Sequence, residues 1–214
     1  MADNRLFVHV LLDRSGSMES CRDATIAAFN NYLDQLKEAW KTPARLSLTT
    51  FDSDGIDLVV DAEPVASVSP LTRETFVPRA STPLFDAVGA TVARLDEATL
   101  STAERVALVI LTDGQENASR EHTRDSIAKL LAGRHKDKGW LIMYLGANQD
   151  AWAEGAKMGL SRAQTIDYTT ENVGLVLKAA GRRTVAYMAA PSEAFADFTP
   201  EERAEAVKGK ATKA

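Results

Sequence analysis

Asp13-Arg14-Ser15-Gly16-Ser17 gathers one carboxylate and two hydroxyls into five residues near the start of the chain. Two more oxygen-bearing side chains stand at comparable places further on. Thr82 follows a proline-rich stretch and precedes a helical pattern, and Asp113 ends an apolar run as Leu111-Thr112-Asp113-Gly114. Hydroxyl and carboxylate oxygens are hard ligands that suit Mg²⁺, with Mn²⁺ as a substitute and Ca²⁺ less favoured; Mg²⁺ takes near-octahedral geometry and retains several waters. Gly16 and Gly114 are expected to let the backbone turn tightly beside such an ion. Soft-metal chemistry finds no support. The single Cys21 allows neither an internal disulfide nor a thiolate zinc site, and His9, His122 and His135 are too scattered to replace it.

For these residues to meet, the fold must bring three loops to one face. Leu6–Leu12 is a short apolar run of the kind that forms a strand buried on both sides, and Asp13 stands at its end. From Asp23 onward, Ile26, Phe29, Leu33, Leu36 and Trp40 share one helical face, and Thr42-Pro43 ends that helix. Leu46–Phe51 and Ile56–Val60 flank the turn-forming Asp52-Ser53-Asp54-Gly55, which predicts a hairpin whose second strand is an antiparallel edge. Pro64, Pro70, Pro78 and Pro83 mark residues 63–83 as a long irregular crossing, after which Leu84–Leu95 resumes a helical pattern. Strands at Val106–Leu111, Trp140–Leu145 and Gln164–Tyr168 then alternate with helices at Arg124–His135, Ala151–Met158 and Glu171–Ala190.

Strands of continuous hydrophobicity alternating with helices predict an α/β fold, doubly wound, with a mostly parallel central sheet, one antiparallel edge strand and helices on both faces. Such sheets use the loops at the carboxyl ends of their strands for binding. Residues 1–190 are expected to form this domain. Residues 191–214 are expected to add a short helix, opened by Thr199-Pro200-Glu201-Glu202, and a frayed basic tail.

The chain has 214 residues, 45% of them hydrophobic, enough for a sizeable core. Its 25 basic and 30 acidic side chains leave a net charge of −5, which provides no global attraction for nucleic acid or an anionic membrane. The longest apolar runs fall far short of the roughly 20 residues that span a bilayer. The first residues lack the pattern of a secretory signal, so a cytoplasmic location is expected.

The set Asp13, Ser15, Ser17, Thr82 and Asp113 resembles the metal-ion-dependent adhesion site of the von Willebrand factor A-type domain, which combines Asp-x-Ser-x-Ser with a distant Thr and a distant Asp. The resemblance covers about residues 5–190. The stretches Phe76–Leu84 and Leu145–Asp150 are similar to a bacterial, single-domain branch of that family. It implies a doubly wound sheet and a bound Mg²⁺, with Ser15, Ser17 and Thr82 coordinating directly and the two aspartates in support, at least one through water. It also implies a position left open for a carboxylate from a partner protein.

Each residue also has an ordinary role to weigh. Asp13 could accept hydrogen bonds from loop amides, Ser17 could cap a helix beginning near Met18, Thr82 could cap a helix with Pro83 in its first turn, and Asp113-Gly114 is a common turn pair. Asp52, Asp54, Glu116 and Asp150 read as solvated acidic groups on the same rim. His9 reads as a satisfied core histidine, Cys21 as an inert thiol, and Trp40, Trp140 and Trp152 as core residues. The function expected is a divalent-cation-dependent protein-protein interaction module whose partner presents an Asp or Glu; the oligomeric state is left open. The alternative is a Mg²⁺-dependent phosphohydrolase with Asp13 as nucleophile. Against it, Ser15 stands where that chemistry wants a second aspartate, and no paired general acid and base is evident.

Overall fold

The computed structural model describes residues 5–39, 44–100, 102, 104–147, 150–189 and 197–209. A six-stranded sheet of β1 (Leu6–Asp13), β2 (Ala44–Asp52), β3 (Gly55–Pro64), β4 (Arg105–Thr112), β5 (Leu141–Ala147) and β6 (Thr165–Tyr168) runs in the order β3-β2-β1-β4-β5-β6. Every pairing is parallel except that of β3 with β2. All eight residues of β1 are buried, because helices cover both faces of the sheet. The edge strand β3 is instead largely exposed.

Successive strand residues point to opposite faces and so divide the core in two. Val8, Val10, Leu12, Val109 and Met143 pack beneath α1 (Arg22–Ala39), α5 (Val173–Ala189) and α6 (Pro200–Ala206). Phe7, Leu11, Leu108, Ile110 and Tyr144 pack beneath α2 (Leu84–Thr99), α3 (Arg124–Lys138) and α4 (Ala151–Lys157). No described helix is long and apolar enough to cross a membrane.

The apolar face expected for the first long helix is present, with Phe29, Leu33 and Leu36 buried and Ile26 packed against the core. Trp40, Thr42 and Pro43 lie outside the described residues. Beyond residue 196, Thr199 and Glu202 form a capping box around Pro200, and Phe198 and Ala206 join the α1/α5 core. The end of the expected basic tail, residues 210–214, lies outside the described residues.

Two core expectations need correction. Trp140 is buried, but Trp152 is 45% exposed. The reason is the phase of α4: seven residues long, it turns Ala151 and Gly155 inward, and Gly155 sits so close to Thr165 that a side chain there would collide with it. His9 is buried and its Nε2 lies 2.9 Å from Thr49 Oγ1, yet its Nδ1 has no partner among the described residues. Burial, assisted by the charge of Arg94, lowers its pKa to about 3, so the ring stays neutral.

Candidate metal centre

The sheet reverses its winding between β1 and β4, since the chain moves from β1 toward β2 on one side and from β4 toward β5 on the other. Loops leaving the carboxyl ends of strands at such a point diverge and open a crevice. The register pairs Leu12 with Leu111, so Asp13 emerges beside Thr112 and Asp113. The third loop enters from the crossing after β3, where Thr82 precedes α2.

The five candidate residues come together at this edge. Ser17 Oγ donates to Asp113 Oδ1 at 2.6 Å and lies 3.2 Å from Ser15 Oγ. Asp13 is fully buried; its Oδ1 accepts from the Ser15 amide at 2.7 Å and its Oδ2 from the Thr112 hydroxyl at 2.5 Å. Thr82 reaches the cluster through Gly114, where an added Cβ would lie 2.8 Å from Thr82 Oγ1 and 3.6 Å from Asp13 Oδ2. That measurement also corrects the reason for the glycine. Neither Gly16 nor Gly114 has the positive φ of a glycine turn, so Gly114 matters for the space it leaves between Thr82 and Asp13. At Gly16 the nearest atom a Cβ would meet is Ala80 O, at an ordinary 3.4 Å.

Two of the ordinary roles are not the ones adopted. Ser17 turns its hydroxyl to Asp113, and the segment Gly16–Cys21 is a 3-10 turn with Ser15 at its N-cap and no side-chain cap bond. Thr82 does not cap α2: Pro83 holds the N-cap position, and no side chain of its own caps the helix. The orphan amides there are met from another segment. Glu116 Oε2 accepts from Phe85 N at 2.9 Å, and Ser119 Oγ accepts from Asp86 N at 3.1 Å. Asp86 in return accepts from the amides of Arg120, Glu121 and His122. Asn117 ties Thr82 to the Asp113 loop by a reciprocal pair, Thr82 N to Asn117 Oδ1 at 2.9 Å and Asn117 N to Thr82 O at 3.1 Å.

The electrostatics suit a cation. Among the described residues neither Asp13 nor Asp113 is ion-paired, because Arg14 points away from them toward Asp52 and Asp57. Burial, with a smaller contribution from the charge of Asp113, pushes the Asp13 carboxyl up to about 6 against the hydrogen bonds of Thr112 and Ser15. Asp113 is also raised by burial, opposed by the Ser17 hydroxyl. Beneath the site, the fully buried Tyr168 hydroxyl has no partner among the described residues, and its pKa is driven far up by burial and by the charges of Cys21, Asp113 and Asp13. Two carboxylates without a counter-ion, three hydroxyl oxygens and a gap kept open by Gly114 fit a small hard cation. Among the described residues no group of three or more His, Cys, Asp or Glu side chains could hold a metal, so such a site depends on its hydroxyls.

The remaining candidates take structural parts. Asp52 is buried rather than solvated; hydrogen bonds from Arg14, the Asp54 amide and Arg79 hold its carboxyl below the usual range despite burial. Asp54 stays exposed at the turn, Glu116 serves α2, and Asp150 caps α4 through Ala153 N. The Cys21 thiol is buried and pushed up to about 11, mainly by that burial, as an inert thiol should be. Thr112 and Asn117 were not legible as site residues because the residues they hold, Asp13 and Thr82, lie 99 and 35 positions away, and nothing local in the sequence sets Tyr168 beneath the site.

No protein-family model matches the chain, nor does any curated protein sequence. Solved structures do. Proximal thread matrix protein 1 from the mussel byssus, solved with zinc in its metal-ion-dependent adhesion site (MIDAS) motif, aligns with a TM-score of 0.62 at 12% identity over 86% of this chain and 48% of its own. A von Willebrand factor type A protein from Catenulispora acidiphila aligns at 0.59 and 12% identity over 85% of this chain and 43% of its own. The von Willebrand factor domain of the pilus tip protein Mfa5 from Porphyromonas gingivalis aligns at 0.61 and 11% identity, covering 83% of this chain and 94% of that domain. The chain thus spans about half the length of the mussel protein. It has the fold of the von Willebrand factor A-type domain.

Proposed function

We propose that this von Willebrand factor A-type fold acts as a divalent-cation-dependent protein-binding module. Ser15, Ser17 and Thr82 hold Mg²⁺ directly, and Asp13 and Asp113 support it, at least one of them through water. The observation that carries the reading is the convergence of these five side chains, from three loops, around the space Gly114 leaves open. When bound, the ion supplies an electrophilic centre for an anionic oxygen. Because its direct ligands in this chain are neutral hydroxyls, that oxygen comes from an Asp or Glu of a partner protein. The Asp13 and Asp113 carboxylates lower the cost of holding the cation at a half-buried edge. Zinc in the MIDAS motif of the mussel protein supports a divalent ion in this fold.

Binding is favoured over hydrolysis by the state of Asp13. A nucleophile must present an oxygen to its substrate, whereas Asp13 is fully buried with both oxygens engaged by Ser15 and Thr112. The test is capture of binding partners on immobilised full-length chain in Mg²⁺ and again in EDTA. Binding should require the ion, survive moderate salt and be lost when one acidic partner residue is changed to its amide. Metal-dependent binding that withstands every such change would overturn the carboxylate bridge.

A further inference from the structure

Arg14 occupies the variable position of Asp13-Arg14-Ser15-Gly16-Ser17, where a cation turned inward would repel a metal. It is turned outward and largely buried. Its Nε donates to Asp52 Oδ2 at 2.7 Å and its Nη2 to Asp57 Oδ2 at 2.7 Å. Asp52, whose side chain is fully buried, accepts on the same Oδ2 from Arg79 Nε at 3.0 Å. Its Oδ1 accepts from the amides of Asp54 at 2.7 Å and Gly55 at 3.1 Å. One carboxylate therefore joins three segments: the Ser15/Ser17 loop through Arg14, the β2–β3 turn through its amides, and the crossing that leads to Thr82 through Arg79.

The backbone follows the same plan. Arg14 N donates to Phe51 O at 2.8 Å, Arg79 N to Arg14 O at 2.8 Å, and Gly16 N to Ala80 O at 3.0 Å. Ser53 N donates to Ser81 O at 2.9 Å, one residue before Thr82, and Ser81 N donates back to Ser53 Oγ at 3.1 Å. The two hydroxyl-bearing loops are thus tied to each other directly, by the Arg79 and Gly16 amides, and a second time by way of the hairpin turn, with Asp52 at the side-chain junction. By contrast, the Asp113 loop is attached to Thr82 through Asn117.

We infer that Asp52 is a positioning residue for the metal centre: through Arg14 and Arg79 it presets the separation between the Ser15/Ser17 hydroxyls and Thr82, and thereby the preference for a small ion. The inference rests on the metal reading above. Mg²⁺ demands short, nearly octahedral bonds, whereas Ca²⁺ accepts longer bonds and variable geometry. Loosening the spacing therefore penalises the smaller ion more. A residue that only supports the fold would lower stability without changing the order of the two ions.

The experiment titrates the full-length chain calorimetrically with MgCl₂ and with CaCl₂, using wild type, Asp52→Asn and Arg79→Gln. Asp52→Asn keeps the size of the side chain and an acceptor for the turn amides but sets an amide group against the two guanidinium groups. Loss of a group that hydrogen-bonds a metal ligand directly costs about 10–100-fold in metal affinity; Asp52 acts one step further out, through Arg14 and Arg79, so a loss of about tenfold is expected for Mg²⁺. Ca²⁺ should weaken less, so that the ratio of the two affinities falls at least about threefold. Arg79→Gln, at a half-exposed position, should shift the ratio in the same direction by less, and it decides the matter if Asp52→Asn does not fold. Equal weakening of both ions, or none, overturns the positioning role while leaving the metal site standing. A wild-type chain that binds neither ion overturns the metal reading itself, and the inference with it.

Discussion

Asp13 carries the tension of the candidate site, a buried carboxylate without an ion pair. Its pKa of about 6 in the metal-free protein lies above the value of 3.8 it has when solvated. The folded state therefore binds the proton more tightly than the unfolded one, and this group makes the metal-free protein more stable as pH falls from about 6 toward 3.8, the reverse of a salt-bridged aspartate. The proton and the ion compete for the same charge. Mg²⁺ affinity should hold steady above about pH 7 and fall by about tenfold per pH unit below 6, which titration calorimetry at pH 7.5, 6 and 5 would register; an unchanged affinity at pH 5 would separate Asp13 from the ion. Thr82 gives the complementary case. Since Pro83 and not Thr82 holds the N-cap of α2, Thr82→Ala should leave the melting temperature of the metal-free chain nearly unchanged. Mg²⁺ affinity should drop at least about tenfold, or 1.4 kcal/mol. A large fall in melting temperature without a change in affinity would restore the capping role.

At the level of elements, the start of α2 is completed from a distance. The first amide groups at a helix N-terminus need acceptors from outside the helix, and here Glu116 and Ser119 supply those of Phe85 and Asp86 from the loop that also carries Asp113. Glu116 further accepts from the amides of Ala118 and Ser119 and from the Ser119 hydroxyl, so one carboxylate shapes its own loop and fastens it to α2. Hydrogen bonds to a charged group are worth about 1.5–3 kcal/mol each when a partner is left unpaired. Glu116→Ala should therefore cost more stability than Thr82→Ala, by about 1–3 kcal/mol in urea denaturation with an unchanged slope. Equal stability of the two variants would show that water replaces the carboxylate without loss.

For the whole molecule, the proposed ion would be a ligand of the folded state alone, because the three loops meet only when β1, the β3–α2 crossing and β4 are in place. Mass action at about 100 times the dissociation constant then adds roughly 2.7 kcal/mol. In a chain of this size that corresponds to a rise of roughly 5–10 °C in melting temperature. Scanning calorimetry in millimolar Mg²⁺ and in EDTA measures it directly, and identical curves would remove the site.

The order of elements and the sheet class were legible because hydrophobic pattern is local: a continuous run such as Val106–Leu111 has few other ways to bury itself, and Asp52-Ser53-Asp54-Gly55 marks its hairpin within four residues. The candidate residues were legible by type and by their places at strand ends. Their surroundings were not. That Asp52 is a buried hub rather than a solvated turn, that Glu116 completes α2, that Thr112 holds Asp13 and that Trp152 faces solvent all depend on contacts between segments 27 or more residues apart, or on the phase of a seven-residue helix. Hydrophobic burial acts on patterns and so writes itself into the sequence, whereas a hydrogen bond needs two named atoms within about 3 Å, and only the folded chain decides which distant atoms those are.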